Sequence, residues 1–290
     1  MQPRAIEASV TPATPKHSAT QSEKATYFRD LHQQPSAFVI ANAWDGGSAR
    51  LLAGLGFPAL ATSSGAAAGV LGRLDGMISR DEALYQARLM VDATALPISA
   101  DLEKGFGDTP EVVAETVRLA ADCGLVGCSI EDATRNPDQP LYDLNAATER
   151  IRAAVEAARA LPFPFTLTAR SENFLRGNPD LDDTIRRLQA FAQAGADVLF
   201  APGLPTLAAV REVCAAVNKP VNFMVGIPGK SFTVADLEAA GVKRISLATS
   251  LYRAALNGLL EAAREVRTQG TFGYLDRLAN PAELYQYMQK

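Results

Sequence analysis

Apolar runs and amphipathic segments alternate along this chain with one persistent rhythm. Continuous apolar runs occupy 38–44, 59–64, 97–103, 127–132, 165–171, 197–202, 220–225 and 244–250. Between and after them, over 48–55, 80–93, 110–123, 145–161, 181–194, 207–217, 234–240 and 251–268, apolar side chains recur with the period of a helix that buries one face. A further amphipathic segment, 24–33, precedes the first run. Boundary residues agree with this division. Ser79 with Glu82 reads as a capping box, and Thr109-Pro110-Glu111 places proline at a first helical position. Gly56, Gly124, Gly195 and Gly241 fall where a helix needs a left-handed residue to stop. Runs that are apolar throughout, rather than alternating, predict parallel strands buried on both faces. Repeated strand–helix pairs of this kind predict an α/β fold, a closed (β/α)8 TIM barrel, as a single domain over 25–290 with a C-terminal helical extension. The competing fold is an open doubly wound sheet, which calls for G-x-G-x-x-G after its first strand. The chain reads Asn42-Ala43-Trp44-Asp45-Gly46-Gly47 there, and the barrel is preferred.

Composition narrows the chemistry. Residues 1–24 are polar, rich in Ser, Thr, Ala and Pro, and lack the apolar core of a secretory signal, so they read as a disordered tail. A net charge of −4 leaves no basic surplus to neutralise a nucleic acid, and no apolar stretch is long enough to span a bilayer. The three cysteines, Cys123, Cys128 and Cys214, are odd in number and lack metal-ligand spacing, which suits a reducing cytoplasm. Only two histidines occur, His17 and His32, the first in the tail and the second ahead of the first strand. A Ser-His-Asp triad and a histidine-ligated zinc site are therefore both disfavoured. What remains is chemistry on carboxylates, arginine, hydroxyls and a metal.

Barrel active sites gather at the carboxyl ends of the strands. Those ends carry Asn42 and Asp45; Ser63, Ser64 and Gly65; Asp101 and Glu103; Glu131 and Asp132; Arg170 and Glu172; Asn222; and Thr249 and Ser250. If the third strand runs on, Asp101 and Glu103 share a face ahead of the Gly105-Phe106-Gly107 turn, and such a pair of acids suits a hard divalent ion. A strand end merely facing water is the alternative. Acids on neighbouring strands opposite one arginine suggest a metal carrying a carboxylate substrate that Arg170 clamps. Arg170 paired internally with Glu172 or Glu131 is the competing reading. Ser64 can serve as a turn cap, Asp75 as an acid at a helix entry, and Tyr142 as ordinary packing. Asn222 stands inside an apolar run, so a polar partner in the barrel mouth is expected for it.

Five of these segments together resemble the isocitrate lyase/phosphoenolpyruvate mutase superfamily. They are Thr62-Ser63-Ser64-Gly65, Gly72-Arg73-Leu74-Asp75-Gly76, the stretch from Asp101 to Gly107, Ser129-Ile130-Glu131-Asp132 and Thr168-Ala169-Arg170. The resemblance covers about Phe38 to Arg253. It implies a TIM barrel, a homotetramer of dimers that swap the last barrel helix, and Mg2+, or Mn2+ in its place, bound to an oxo-acid or its enolate. By the resemblance Asp101 is the direct metal ligand, and Glu103, Asp75 and Glu131 hold metal waters. Ser64, Gly65 and Ala66 grip the substrate carboxylate, with Arg170 on its oxygens; Asn222 joins the substrate-binding candidates on its own polar place in an apolar run. Arg170, Asp75 and Glu131 are the candidate catalytic residues, and Asp101, Glu103 and Glu131 the candidate metal set.

One departure matters. Lyases of the superfamily carry Lys-(Lys/Arg)-Cys-Gly-His on a loop after the fourth strand. Here the loop from Asp132 to Asp143 has neither cysteine nor histidine. The expectation is a Mg2+-dependent carbon–carbon lyase in the cytoplasm, acting on a small 2-oxo or 2-hydroxy di-acid through a pyruvate-like enolate. An oxaloacetate decarboxylase-like activity is favoured. A retro-aldol enzyme of the 2-methylisocitrate or dimethylmalate lyase kind, and an oxo-acid binder without turnover, are the alternatives.

Overall fold

A computed structural model describes residues 19–288. In chain order its first half comprises α1 (Gln21–Leu31), β1 (Phe38–Asn42), α2 (Gly46–Gly54), β2 (Ala59–Ala61), α3 (Ser64–Val70), α4 (Arg80–Ala93), β3 (Ile98–Asp101), α5 (Pro110–Asp122) and β4 (Gly127–Glu131). There follow β5 (Ala133–Asn136), β6 (Gln139–Leu141), α6 (Leu144–Arg159), β7 (Thr166–Arg170), α7 (Leu181–Gln193), β8 (Val198–Phe200) and α8 (Leu207–Ala216). The chain ends with β9 (Val221–Met224), α9 (Val234–Ala239), β10 (Arg244–Ser246), α10 (Ser250–Gln269) and α11 (Pro281–Met288). All strands but β5 and β6 form one closed parallel barrel, in the order β1-β2-β3-β4-β7-β8-β9-β10 and back to β1. The (β/α)8 barrel expected from the apolar runs is therefore present. No helix among the described residues is long and apolar enough to cross a membrane.

Positions 1–18 of the expected tail lie outside the described residues. The rest of that stretch differs from expectation: α1 begins at Gln21, not at position 24. Thr20 Oγ1 accepts the Glu23 N–H, and the Glu23 carboxylate accepts the Thr20 N–H, so two orphan donors are satisfied where the helix starts. Phe28 and Leu31 of α1 are buried against Phe38, Ile40, Ala59 and Val126 at the amino-terminal end of the barrel. Burying each such side chain contributes about 1.5–3 kcal/mol, enough to hold an eleven-residue helix over the barrel floor.

Two further features were not expected. First, β3 ends at Asp101, and Glu103 adopts a left-handed backbone (φ 52°), so Asp101 and Glu103 do not share the face of a continuing strand. Gly105 (φ 85°) and Phe106 (φ 61°) extend this turn, while Leu102 is driven into the core. Second, the loop after β4 folds as an antiparallel hairpin, β5 with β6. In addition α10, the helix that the resemblance implies is swapped between subunits, has no buried residue, and Leu256, Leu259 and Leu260 on it are exposed. The chain then returns through α11, whose Tyr287 ring lies so close against Gly54 of α2 that a Cβ at Gly54 would not fit.

Candidate active site

The site is built where β2, β3, β4 and β7 end side by side. Register places Asp101 beside Ser129, and Glu131 beside Arg170. Bulky branched side chains usually fill a barrel interior. Here Ala61, Ser99, Ser129 and Ser246 line it, and a cavity of about 340 Å³ runs down from the mouth. Ser64, Gly65, Asp75, Asp101, Arg170 and Asn222 all contribute to its wall, as do Gly226 and Ile227 from the turn after β9.

Asp101 is held in place by its neighbours. The Ser64 Oγ–H and N–H both donate to Asp101 Oδ2, at 2.9 and 3.2 Å, and the Asp101 N–H donates to Thr62 Oγ1 at 2.9 Å. Ser63 caps α3, accepting the Ala66 N–H at 3.4 Å. Three donors that the resemblance assigns to the substrate carboxylate are thus turned onto protein atoms, and Ala66 lies buried behind the wall. Gly65 is needed for close approach. A Cβ there would stand 3.0 Å from Thr249 Cγ2 and 3.3 Å from the Asp75 carboxyl carbon, which is how an exposed loop acid reaches the cavity rim.

Arg170 faces this acid from β7. One terminal nitrogen lies 3.8 Å from Asp101 Oδ1, while Nε donates to Glu172 Oε1 at 2.6 Å and lies 3.5 Å from Glu131 Oε2. Its guanidinium sits over the Phe200 ring, 5.1 Å from the centroid. Burial alone would disfavour the cation, but Glu172, Glu131 and Asp101 outweigh it and hold Arg170 charged. The internal pairing with Glu172 and Glu131, one of the two readings left open for this arginine, is therefore present, and the side chain also lines the cavity. Glu131 pairs with Arg176 as well as Arg170, at 3.4 Å, and does not reach the cavity wall. Burial first, then the Glu172 and Asp101 charges, push its carboxyl up to about 8 against the pull of the arginines. Glu103 is likewise behind the wall, paired with Arg135 of the hairpin, which also donates to the Gly76 carbonyl.

The expected metal set is thus divided. Asp101 faces the cavity, Glu103 and Glu131 stand behind it, and among the described residues no three His, Cys, Asp or Glu side chains converge as a cage. The donor chemistry still fits a hydrated Mg2+, which takes one or two carboxylates and keeps several waters. Glu103 Oε1 is buried with no hydrogen-bond partner, an acceptor available to such a water. The thiols offer no acid here. Burial pushes Cys123 and Cys214 up to about 11 and raises Cys128 further, and none of them lines the cavity. Tyr142 packs beneath Arg150, 4.3 Å from ring centroid to guanidinium, and donates to Asp108 at 2.5 Å.

Four residues carry the site without having been singled out by sequence pattern: Arg135 and Arg176, which pair with the hidden acids; Arg187, which pairs with Asp132 at 3.2 Å; and Arg244 on the cavity floor. Asn222 finds its expected polar partners in Arg244 and Ser246.

The chain is similar to known proteins. The family model described as phosphoenolpyruvate phosphomutase matches residues 28–267. A solved structure of a candidate lyase/mutase from Burkholderia cenocepacia J2315 is 52% identical, with a TM-score of 0.90 over 92% of this chain and 96% of that one. The 2-methylisocitrate lyase of Escherichia coli K12 is 30% identical over 89% of this chain and 90% of its own length. The oxaloacetate decarboxylase of Bradyrhizobium diazoefficiens is 30% identical over 76% of both chains. This chain is therefore an enzyme of the isocitrate lyase/phosphoenolpyruvate mutase superfamily.

Proposed function

We propose that the protein is a Mg2+-dependent carbon–carbon lyase that cleaves a small 2-oxo or 2-hydroxy di-acid to a pyruvate-like fragment, with oxaloacetate decarboxylation as the favoured reaction. The observation that carries this reading is Asp101 beside Arg170 in the wall of one cavity, with no cysteine in the β5–β6 hairpin. A divalent cation held by Asp101, its waters oriented by Glu103, would supply positive charge where an enolate oxygen develops.

The chain's own residues do the rest. Arg170, rigidly braced by Glu172 and Glu131, presents its remaining N–H groups to the substrate's oxo oxygen, a preorganised donor that needs no rearrangement during reaction. Ser64 fixes the orientation of the Asp101 carboxylate. The β5–β6 hairpin is tied to the loops beside the site through Arg135, which pairs with Glu103 and donates to the Gly76 carbonyl. CO2 leaves without a proton, so a missing thiol acid does not hinder decarboxylation. The relatives named 2-methylisocitrate lyase and oxaloacetate decarboxylase bracket the two candidate reactions. Retro-aldol cleavage stays in second place on one observation: a cavity of about 340 Å³ is roomy for a four-carbon acid.

The exposed face of α10 supports a homo-oligomer in which this helix packs on a partner's barrel, and the free cysteines support a cytoplasmic setting. The activity test is pyruvate release from oxaloacetate after EDTA treatment and Mg2+ addition. The reading expects loss and recovery, with no recovery in Asp101→Ala. Turnover indifferent to both would sink it.

A further inference from the structure

Arg244 is the first residue of β10, yet its side chain lines the cavity floor and is 5% exposed. Every partner it has is neutral. Nε donates to Asn222 Oδ1 at 2.9 Å, one terminal nitrogen donates to Thr168 Oγ1 at 3.0 Å, and the other lies 3.4 Å from His32 Nε2. His32 carries no charge at neutral pH, because burial first and the Arg244 charge second push it down to about 3. Among the described residues no carboxylate forms an ion pair with Arg244, in contrast to the buried Arg170 and Arg187. Burial pushes it down to about 9, the mark of a cation without a counter-charge. Burying an unpaired charge is unfavourable, and an arginine has five N–H donors, of which these contacts engage three.

The fold sets its height. Thr168 and Arg170 are alternate residues of β7 on the same inward face. The Arg244 guanidinium, bonded to Thr168, thus lies one layer below Arg170, roughly 6–7 Å along the strand. Ser99 and Ser129 line the wall of the same cavity. The loop expected to grip a carboxylate has meanwhile turned Ser64 onto Asp101 and Ala66 onto Ser63.

We propose that Arg244 is the carboxylate receptor of this cavity, holding from below the carboxylate that the reaction keeps, so that the substrate stands upright with its oxo group level with Arg170 and its leaving group toward the mouth. The orientation rests on the lyase reading of the same site. It makes chemical sense, since a carboxylate paired with a buried guanidinium is stabilised as the anion and is not the group expelled. Asn222 and Thr168 hold the guanidinium rigid before the substrate arrives, which lowers the entropy lost on binding.

The test is calorimetric binding of pyruvate and of pyruvamide, its uncharged isostere, to the full chain with Mg2+ present. Wild type is expected to prefer pyruvate by about tenfold or more, with Arg244→Gln losing most of that preference because pyruvate binding weakens far more than pyruvamide binding, and Arg244→Lys recovering part of it. Pyruvate binding of equal strength in wild type and Arg244→Gln would overturn the assignment while leaving the lyase reading intact. Should Arg244→Gln not fold, wild type alone decides, because equal affinity for pyruvate and pyruvamide overturns it as well. If wild type binds neither ligand, the lyase reading and this assignment fall together.

Discussion

Replacing Arg170 by glutamine removes the one guanidinium that touches three acids. In wild type it lies 2.6 Å from Glu172, 3.5 Å from Glu131 and 3.8 Å from Asp101, and the side chains of Glu172 and Glu131 are 0% and 5% exposed. Arg176 remains close to both glutamates, at 3.0 and 3.4 Å, so one positive charge is left for two buried acids. Breaking a buried pair by removing one partner costs about 3–5 kcal/mol. For a chain of this size each kcal/mol lowers the melting temperature by roughly 2–4 °C, so a loss of about 6–20 °C is expected. The deficit also depends on pH. As pH rises through the region near 8, Glu131 loses its proton and depends most on Arg170. Urea unfolding of wild type and Arg170→Gln at pH 6 and pH 9 reads this directly, with the gap in midpoint wider at pH 9. Equal midpoints at pH 9, or a wider gap at pH 6, would refute the reasoning.

Glu131 and Asp132 give a pH prediction of their own. Burial raises both in the folded state, from 4.5 to about 8 and from 3.8 to about 6. The folded protein therefore binds more protons than the unfolded chain. Their stabilising contribution is full below the unfolded values and is lost as pH rises through about 6 for Asp132 and about 8 for Glu131. Between pH 6.5 and 8.5 the metal-free wild type should lose stability while Glu131→Gln stays nearly level, and parallel curves in urea would contradict this. The exposed leucines of α10 give another: Leu256→Glu with Leu260→Glu should shift the protein to a smaller species in light scattering, with the same barrel circular dichroism. An unchanged mass would remove α10 from the interface.

The barrel was readable because each strand is a continuous apolar run that no open water-facing sheet would need. Local alternation served less well at the third strand. Asp101 and Glu103 share a face only if the strand continues, and it does not, because Glu103 turns left-handed and its carboxylate is drawn behind the wall to Arg135. The start of α1 was written in Thr20 and Glu23, but the capping pair sits inside a polar, Ser/Thr-rich stretch that hides it. The short helix α3 gave no signal, since Ser64-Gly65-Ala66-Ala67-Ala68-Gly69-Val70 has no polar face to set a period. Arg244 was invisible for a different reason. It opens an apolar run, and its partners Thr168, Asn222 and His32 are brought to it only by barrel closure. Asp101 and Arg170 were legible because strand-end chemistry in a barrel converges wherever the strands do.

Whether a divalent cation occupies this mouth is decided most directly by electron paramagnetic resonance of Mn2+ titrated into metal-stripped protein, for wild type and Asp101→Asn. One Mn2+ per chain is expected, displaced by Mg2+, with affinity at least about tenfold weaker when the Asp101 carboxylate is gone. Wild type that binds no Mn2+, or an Asp101→Asn protein that binds it equally well, would contradict a metal site built on Asp101.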